Sequence, residues 1–208
     1  MLRKPSSSTT VNRMLQQLIR FHSTPWIDGC IKWLIAALFQ VLLGPVVLDL
    51  KGEVPITLQS LAVLFGAIAF GWRIGTLATI TYILAGAIGF PVFAGHHAGM
   101  RVIFGPHGGF FFGFLAASII CGYLAESRVF GKPATSILNW LLGHIIILFF
   151  GGMWLMQLDP EGWTEKLGSL LTGALVKSAF GALIIQLILR FMQGKNPKRA
   201  FEDSETTA

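Results

Sequence analysis

One lysine stands out among the residues that could do chemistry, because we place it deep inside a strongly apolar stretch. Lys177 lies near the middle of the run 167–189, and it is the only charged residue that we place inside an apolar span. A cation at that depth in a bilayer costs about 2.5–3.5 kcal/mol on insertion scales, so it usually serves a pathway or a ligand. The ten Asp and Glu residues all fall in predicted loops, tails or helix ends. We therefore expect a bound anionic or polar solute to supply the missing partner, the alternative being a lysine that snorkels to the outer interface.

A second group of candidates lies within residues 89–110, a stretch rich in glycine, proline and histidine. Its Gly and Pro residues predict sharp turns and close backbone approach. One interpretation is a loop that folds over a solute pocket with aromatic walls, and the other is a plain hairpin between two helices. An arginine there could bind a carboxylate through two parallel hydrogen bonds or contact a lipid headgroup. The candidates in this stretch are Phe90, Phe93, Gly95, Arg101 and His107.

Two polar side chains and a glycine inside predicted helices complete the candidate site. Gln59 lies one turn into a helix that begins near Pro55, and it offers both donors and an acceptor. An interhelical hydrogen bond is the alternative role for Gln59, and Tyr82 is interpreted in the same way. Gly173 lies four residues before Lys177, so the helix face beside the lysine has room for a ligand or for close packing.

Motifs for enzymatic or metal chemistry are missing from the sequence, which contains no GxxxxGK[ST], no GxSxG and no HExxH. The adjacent His96 and His97 cannot easily reach one ion, so we predict no metal site. Ser118 and Ser178 fall in apolar spans and are interpreted as packing residues. We predict neither an enzyme nor a cofactor, so accumulation of a solute would need energy from a partner or an ion gradient.

The composition is that of a membrane protein: 53% of residues are hydrophobic, 12% are charged, and the mean hydropathy is +0.66. We predict an all-α integral membrane protein with six transmembrane helices, each near the ~20 residues that a bilayer requires. The third helix should break before residue 94, because Gly86, Gly89 and Pro91 interrupt it. The predicted spans are 31–48, 54–72, 74–94, 108–125, 137–158 and 167–189.

The distribution of basic residues predicts the orientation. Of the 16 Lys and Arg residues, twelve fall on one side of this arrangement and three on the other, so both termini should be cytoplasmic. The net charge of +6 therefore indicates cytoplasmic loops rather than nucleic-acid binding. We predict a cytoplasmic tail with a short amphipathic helix at 1–30, a membrane domain at 31–190 and a cytoplasmic tail at 191–208. The expected location is a cytoplasmic (inner) membrane of the bacterial type.

Three motifs follow one another along the chain: Pro55-Ile56-Thr57-Leu58-Gln59, Gly86-Ala87-Ile88-Gly89-Phe90-Pro91-Val92-Phe93-Ala94-Gly95 and Gly105-Pro106-His107-Gly108-Gly109-Phe110. In this order and spacing they resemble the BioY family, the biotin-specific S components of energy-coupling factor transporters. The match is densest over residues 53–126. In that family the sixth helix carries a Gly-Asp-x-x-Lys element that lines the biotin site. This chain has Gly173 and Lys177 in register but Ala174 in place of the acid, and His107 stands where the family usually has Thr.

The resemblance implies a six-helix subunit that captures biotin at the outer face. Its partners would be the lipid bilayer, a transmembrane coupling subunit and two subunits that hydrolyse ATP. The Ala-x-x-x-Ala element by which many such subunits dock is not intact around Ala36 and Ala37. Two alternatives remain open: an S component for another small vitamin-like solute, and a membrane assembly subunit that transports nothing. A homo-oligomer also remains open.

Overall fold

The computed structural model describes residues 21–48, 56–126 and 133–194. These residues are almost wholly helical, which confirms the all-α prediction. Two short strands, β1 (Val47–Leu48) and β2 (Ile56–Thr57), pair antiparallel. The amphipathic helix predicted within residues 1–20 lies outside the described residues. The helices are α1 (Pro25–Leu43), α2 (Gln59–Phe70), α3 (Trp72–Ala87), α4 (Met100–Ile103), α5 (Gly108–Glu126), α6 (Pro133–Leu158) and α7 (Trp163–Gly194).

Four of these helices contain segments long and apolar enough to cross a bilayer. They support a protein that crosses the membrane several times. Helices α2, with 12 residues, and α3, with 16, fall short of the usual ~20 residues. The count of six spans therefore stays a prediction. The four segments are Pro25–Leu43, Gly108–Glu126, Ser136–Leu158 and Leu170–Ile188.

Helix α1 begins at Pro25, inside the segment that the sequence analysis assigned to the N-terminal tail. Proline suits the first turn, because the N–H that it lacks would have no intrahelical partner. The earlier start places Asp28 and Lys32 within the helix, where both are buried and lie 2.6 Å apart as an ion pair. The expectation that Lys177 is the one charge inside an apolar span was therefore wrong, although Lys32 has a carboxylate beside it.

The centre of the bundle is α2, which packs against α1, α3 and α5. All of its residues except Phe65 are buried. Small residues allow this close packing: a Cβ atom at Gly75 of α3 would collide with the backbone of Ala67 on α2. On the other side, α5 packs along α6, and α6 packs along α7.

One end of the bundle, here named the loop end, is formed by the two strands, the first turn of α2 and residues 88–107. Helix α3 ends at Ala87, as the glycines and proline beyond it predicted. The following loop turns back through left-handed backbone at Gly95 (φ 70°) and His96 (φ 61°). The Gly95 N–H donates to the Pro45 carbonyl at 3.0 Å, and the Gly99 N–H donates to the Gly86 carbonyl at 2.7 Å. These bonds fasten the loop to the ends of α1 and α3.

Candidate ligand site

The Lys177 amine lies at the loop end, bonded to neutral oxygens. Its Nζ donates to the Ser60 hydroxyl at 2.8 Å and to the Thr57 carbonyl at 3.3 Å. The side chain is 9% exposed, which does not fit a lysine that snorkels to solvent. Within the described ranges no carboxylate accepts from this amine. Its positive charge therefore has no neutralising partner there.

The local fold explains why the amine meets this position. Thr57 is the last residue of β2, and the chain turns into α2 through Leu58, whose N–H donates to the Val46 carbonyl at 3.1 Å. The turn places Ser60 in the first helical turn and leaves the Thr57 carbonyl facing Lys177. A helix N-terminus carries partial positive charge, so a cation beside it is disfavoured and an anion is favoured. The lysine and the start of α2 thus favour the same kind of ligand group.

Gln59, Tyr82 and Phe93 gather next to this lysine contact. The Tyr82 hydroxyl donates to the Val92 carbonyl at 2.9 Å, and the Gln59 side chain is a further polar neighbour of that hydroxyl. The Phe93 ring meets Tyr82 edge-on, with centroids 5.7 Å apart. Gln59 precedes Ser60 on α2, so the tyrosine and lysine contacts adjoin. The structure therefore brings together four of the predicted residues: Lys177, Gln59, Tyr82 and Phe93.

The other predicted residues lie at the edge of this cluster or on the surface. Gly95 contributes its backbone to the loop, and Gly173 is buried on α7 one turn before the lysine. Phe90 is 59% exposed, so its role as an apolar wall stays a prediction. Arg101 is exposed on α4, and His107 lies just before α5. Partial burial of His107, and then the charge of His97, lower the pKa of the His107 imidazole.

Sequence reasoning missed a set of buried polar residues behind Lys177. His144 of α6 lies between Ser60 and Ser178, which had been interpreted as a packing residue. A histidine in the middle of an apolar span was the signal that could have found this set. Among the described residues, no group of three or more His, Cys, Asp and Glu side chains could hold a metal ion.

A groove with a volume of about 360 Å³ opens between α6 and α7. Its lining is apolar throughout and includes none of the residues around Lys177. A site that recognises a polar vitamin needs a few fixed polar groups, so this groove is not a candidate for it. The groove is lined by Ile145, Leu148, Phe149, Gly152, Met153, Met156, Trp163 and Leu171.

Comparisons with known proteins agree on one family. The model of the BioY family matches residues 18–194. The biotin transporter BioY of Rhodobacter capsulatus is 36% identical over 173 residues, which span 76% of this chain and 90% of the relative. The probable biotin transporter BioY of Pyrococcus horikoshii is 33% identical over 137 residues, which span 65% of this chain and 80% of the relative. The match to BioY of Thermotoga maritima is 47% identical but spans only 37% of this chain and 46% of the relative.

A solved structure shows the same fold. It is the crystal structure of the S-component for biotin from an ECF-type ABC transporter, and it superposes with a TM-score of 0.69. The match covers 82% of this chain and 95% of the other, at 20% sequence identity. The arrangement of helices is therefore shared, while the site must be argued from this chain's own residues.

Proposed function

The chain belongs to the BioY family, and from that premise we propose that it is the membrane subunit that binds biotin for uptake. The observation that carries this proposal is the buried Lys177 amine at the loop end, which in the described part of the chain has no carboxylate partner. The names of the relatives in the family suggest the vitamin, and this buried amine supports Lys177 as the donor to one of its oxygens.

The cluster suits the chemistry of biotin, which has an apolar bicycle and chain with a polar group at each end. Lys177 can donate to an oxygen of the carboxylate or of the ureido group. Gln59 offers a donor and an acceptor beside it, and the Phe93 ring offers apolar surface. Residues 88–107, with Phe90, Gly95, Arg101 and His107, would close over the ligand. Gly173 has no side chain, so it would leave room for the ligand beside Lys177 on α7.

The replacement of the family's acid changes how the ureido N–H groups can be bound. Ala174 is buried, and its carbonyl already accepts from the Ser178 hydroxyl at 2.8 Å. The acceptors must come from elsewhere, such as the Gln59 amide oxygen or loop carbonyls. The same replacement favours a second candidate, an S component for another small vitamin-like solute.

The proposed topology has six spans with both termini in the cytoplasm and the loop end outside. The short helix α2 fits this topology because eleven of its twelve residues are buried, and backbone that is buried in protein need not match the bilayer thickness. The excess of Lys and Arg on the predicted inner side supports the orientation. A bacterial-type inner membrane is the corresponding location.

Uptake would require a transmembrane coupling subunit and two ATP-hydrolysing subunits. Ala36 and Ala37 are buried within the bundle, so they are not available as a docking surface for such a partner. The exposed face of α1 carries Leu34, Leu38 and Leu42 instead. A coupling subunit that docks on α1 would meet that leucine face.

Calorimetric titration of the purified protein in detergent tests the proposal, with biotin, desthiobiotin and biotin amide as ligands. Losing a hydrogen bond from a charged group costs about 1.5–3 kcal/mol, so Lys177→Met should raise the Kd for biotin about 10- to 150-fold. Arg73→Met is the control, because Arg73 is an exposed cation in the first turn of α3, at the end of that helix opposite the loop end. A loss seen with biotin and desthiobiotin but not with biotin amide would assign Lys177 to the carboxylate, and a loss seen with all three ligands would assign it to the ureido oxygen.

Two results would overturn parts of this proposal. Unchanged affinity in Lys177→Met would remove the lysine from the site. If the wild-type protein binds none of the three ligands, the biotin assignment is wrong. A thermal-shift screen with other vitamins then tests the second candidate, because a ligand that binds only the folded state must raise the Tm.

A further inference from the structure

His144 is buried next to Ser60, the serine whose hydroxyl accepts from the Lys177 amine. It is 2% exposed and lies on α6, between Ser60 of α2 and Ser178 of α7. Its Nε2 is 3.4 Å from the Ser60 hydroxyl oxygen. Its Nδ1 is 2.9 Å from the Ser178 hydroxyl oxygen and 3.0 Å from the Trp140 carbonyl oxygen. One imidazole thus joins three helices at the candidate site.

The partners of Nδ1 decide where the imidazole carries its proton. A carbonyl oxygen can only accept, so the contact with Trp140 requires a proton on Nδ1. Ser178 agrees, because its single proton is donated to the Ala174 carbonyl at 2.8 Å and its oxygen is left to accept. A neutral imidazole protonated at Nδ1 has a bare Nε2 that can only accept.

The order of donors then continues to the lysine. The bare Nε2 accepts a hydrogen bond from the Ser60 hydroxyl, which turns the lone pairs of that hydroxyl toward the Lys177 amine at 2.8 Å. An ammonium has three N–H donors. One goes to Ser60 and one to the Thr57 carbonyl, and the third has no acceptor within the described residues. A charged imidazolium would instead donate to Ser60 and place a second cation near the lysine, which is unfavourable at low dielectric.

We infer that His144, as the neutral tautomer protonated at Nδ1, is a positioning residue of the ligand site: it orients Ser60 so that Lys177 keeps one N–H for a ligand oxygen. The identity of the ligand rests on the proposed function, whereas the order of protons rests on the geometry alone. The inference restricts the ligand group at this point to an acceptor, which both the carboxylate and the ureido oxygen of biotin satisfy.

Biotin affinity in four variants tests whether His144 acts through the lysine. His144→Leu should raise the Kd for biotin about tenfold, as expected for one misdirected hydrogen bond. His144→Gln should recover most of that loss, because its amide oxygen can accept from Ser60. In a Lys177→Met background, His144→Leu should change the Kd less than about twofold, since no amine remains to be positioned. Ser118→Ala is the control. Like Ser178, Ser118 is a buried serine whose hydroxyl donates to the carbonyl four residues earlier on its helix. It contacts Thr79 and none of the residues around His144.

A loss of equal size with and without Lys177 would mean that His144 acts through general packing, and the inference would be wrong. No loss in His144→Leu would also overturn it. If His144→Leu does not fold, Ser60→Ala takes its place, and in that background His144→Gln should have no further effect on binding.

Nitrogen NMR of the protein labelled with ¹⁵N-histidine separates this inference from the proposed function. The chain has five histidines, and the signals that vanish in His144→Gln assign the buried one. The expected spectrum is that of the Nδ1–H tautomer at neutral pH, without ligand. An Nε2–H tautomer or an imidazolium would overturn the inference, even if biotin binds. If biotin does not bind, the proposed function fails, and the spectrum still decides the order of protons.

Discussion

The Tyr82 hydroxyl should hold the loop of residues 88–107 against α3, and Tyr82→Phe removes only that hydroxyl. Tyr82 is fully buried, and its bond to the Val92 carbonyl is 2.9 Å long. The variant keeps the ring and its edge-on contact with Phe93. It leaves a buried carbonyl without its donor, which costs about 1–3 kcal/mol. The cost falls on the folded loop, because Val92 can bond to water when the loop opens.

Hydrogen–deuterium exchange of the loop amides measures this effect directly. The Gly95 and Gly99 N–H groups are bonded to the Pro45 and Gly86 carbonyls, so they exchange only when the loop leaves the bundle. A loss of 1–3 kcal/mol should speed their exchange about 5- to 150-fold. Saturating biotin should slow exchange again if the loop closes over the ligand.

The chain supplies its own control for this experiment. Tyr123, the second of its two tyrosines, is 62% exposed on α5. Tyr123→Phe should leave exchange at Gly95 and Gly99 unchanged. If Tyr82→Phe behaves like Tyr123→Phe, the hydroxyl does not fasten the loop. If Tyr82→Phe speeds exchange equally across all helices, the residue stabilises the whole fold rather than the loop.

Two further predictions concern packing and charge. A Cβ at Gly86 would collide with the Phe93 ring, so Gly86→Ala should destabilise the protein by about 1–3 kcal/mol in denaturant titrations. Gly29→Ala is the control, because nothing lies within 4 Å of the new Cβ, and it should not change the stability. Equal effects of the two substitutions would refute the argument. Asp28 pairs with Lys32 and accepts from the Phe21 and His22 N–H groups. Asp28→Asn should therefore lower the Tm more than Glu161→Gln does, since Glu161 is exposed. The same Tm in both variants would show that the Asp28–Lys32 pair contributes nothing to thermal stability.

Several elements around the candidate site could be predicted from the sequence because their signals are local. The Pro and Gly residues after Gly86 predicted where α3 ends, and apolar runs predicted the long helices. Gln59 and Tyr82 were identified as polar groups inside apolar surroundings, and they do lie side by side. Their contact could not be predicted, because it depends on how α2 and α3 pack against each other. The ends of α2 were out of reach, since a helix that is buried on nearly all sides carries no periodic pattern that marks them.

The two buried lysines show what a sequence does not encode locally. Lys32 and Lys177 lie in apolar helices and are buried to a similar degree. Lys32 has a carboxylate one turn away at Asp28, a spacing that the sequence shows directly. Lys177 instead meets the start of α2, which is 117 residues away along the chain at Ser60. Its first contacts are neutral oxygens, and the residue that orders them, His144, lies on a third helix. A lysine bonded only to neutral oxygens keeps an unneutralised charge and one N–H donor for an incoming group. In a lysine paired with a carboxylate, the carboxylate neutralises the charge and uses a donor. We therefore expect the same residue type to stabilise the fold in α1 and to serve a ligand in α7.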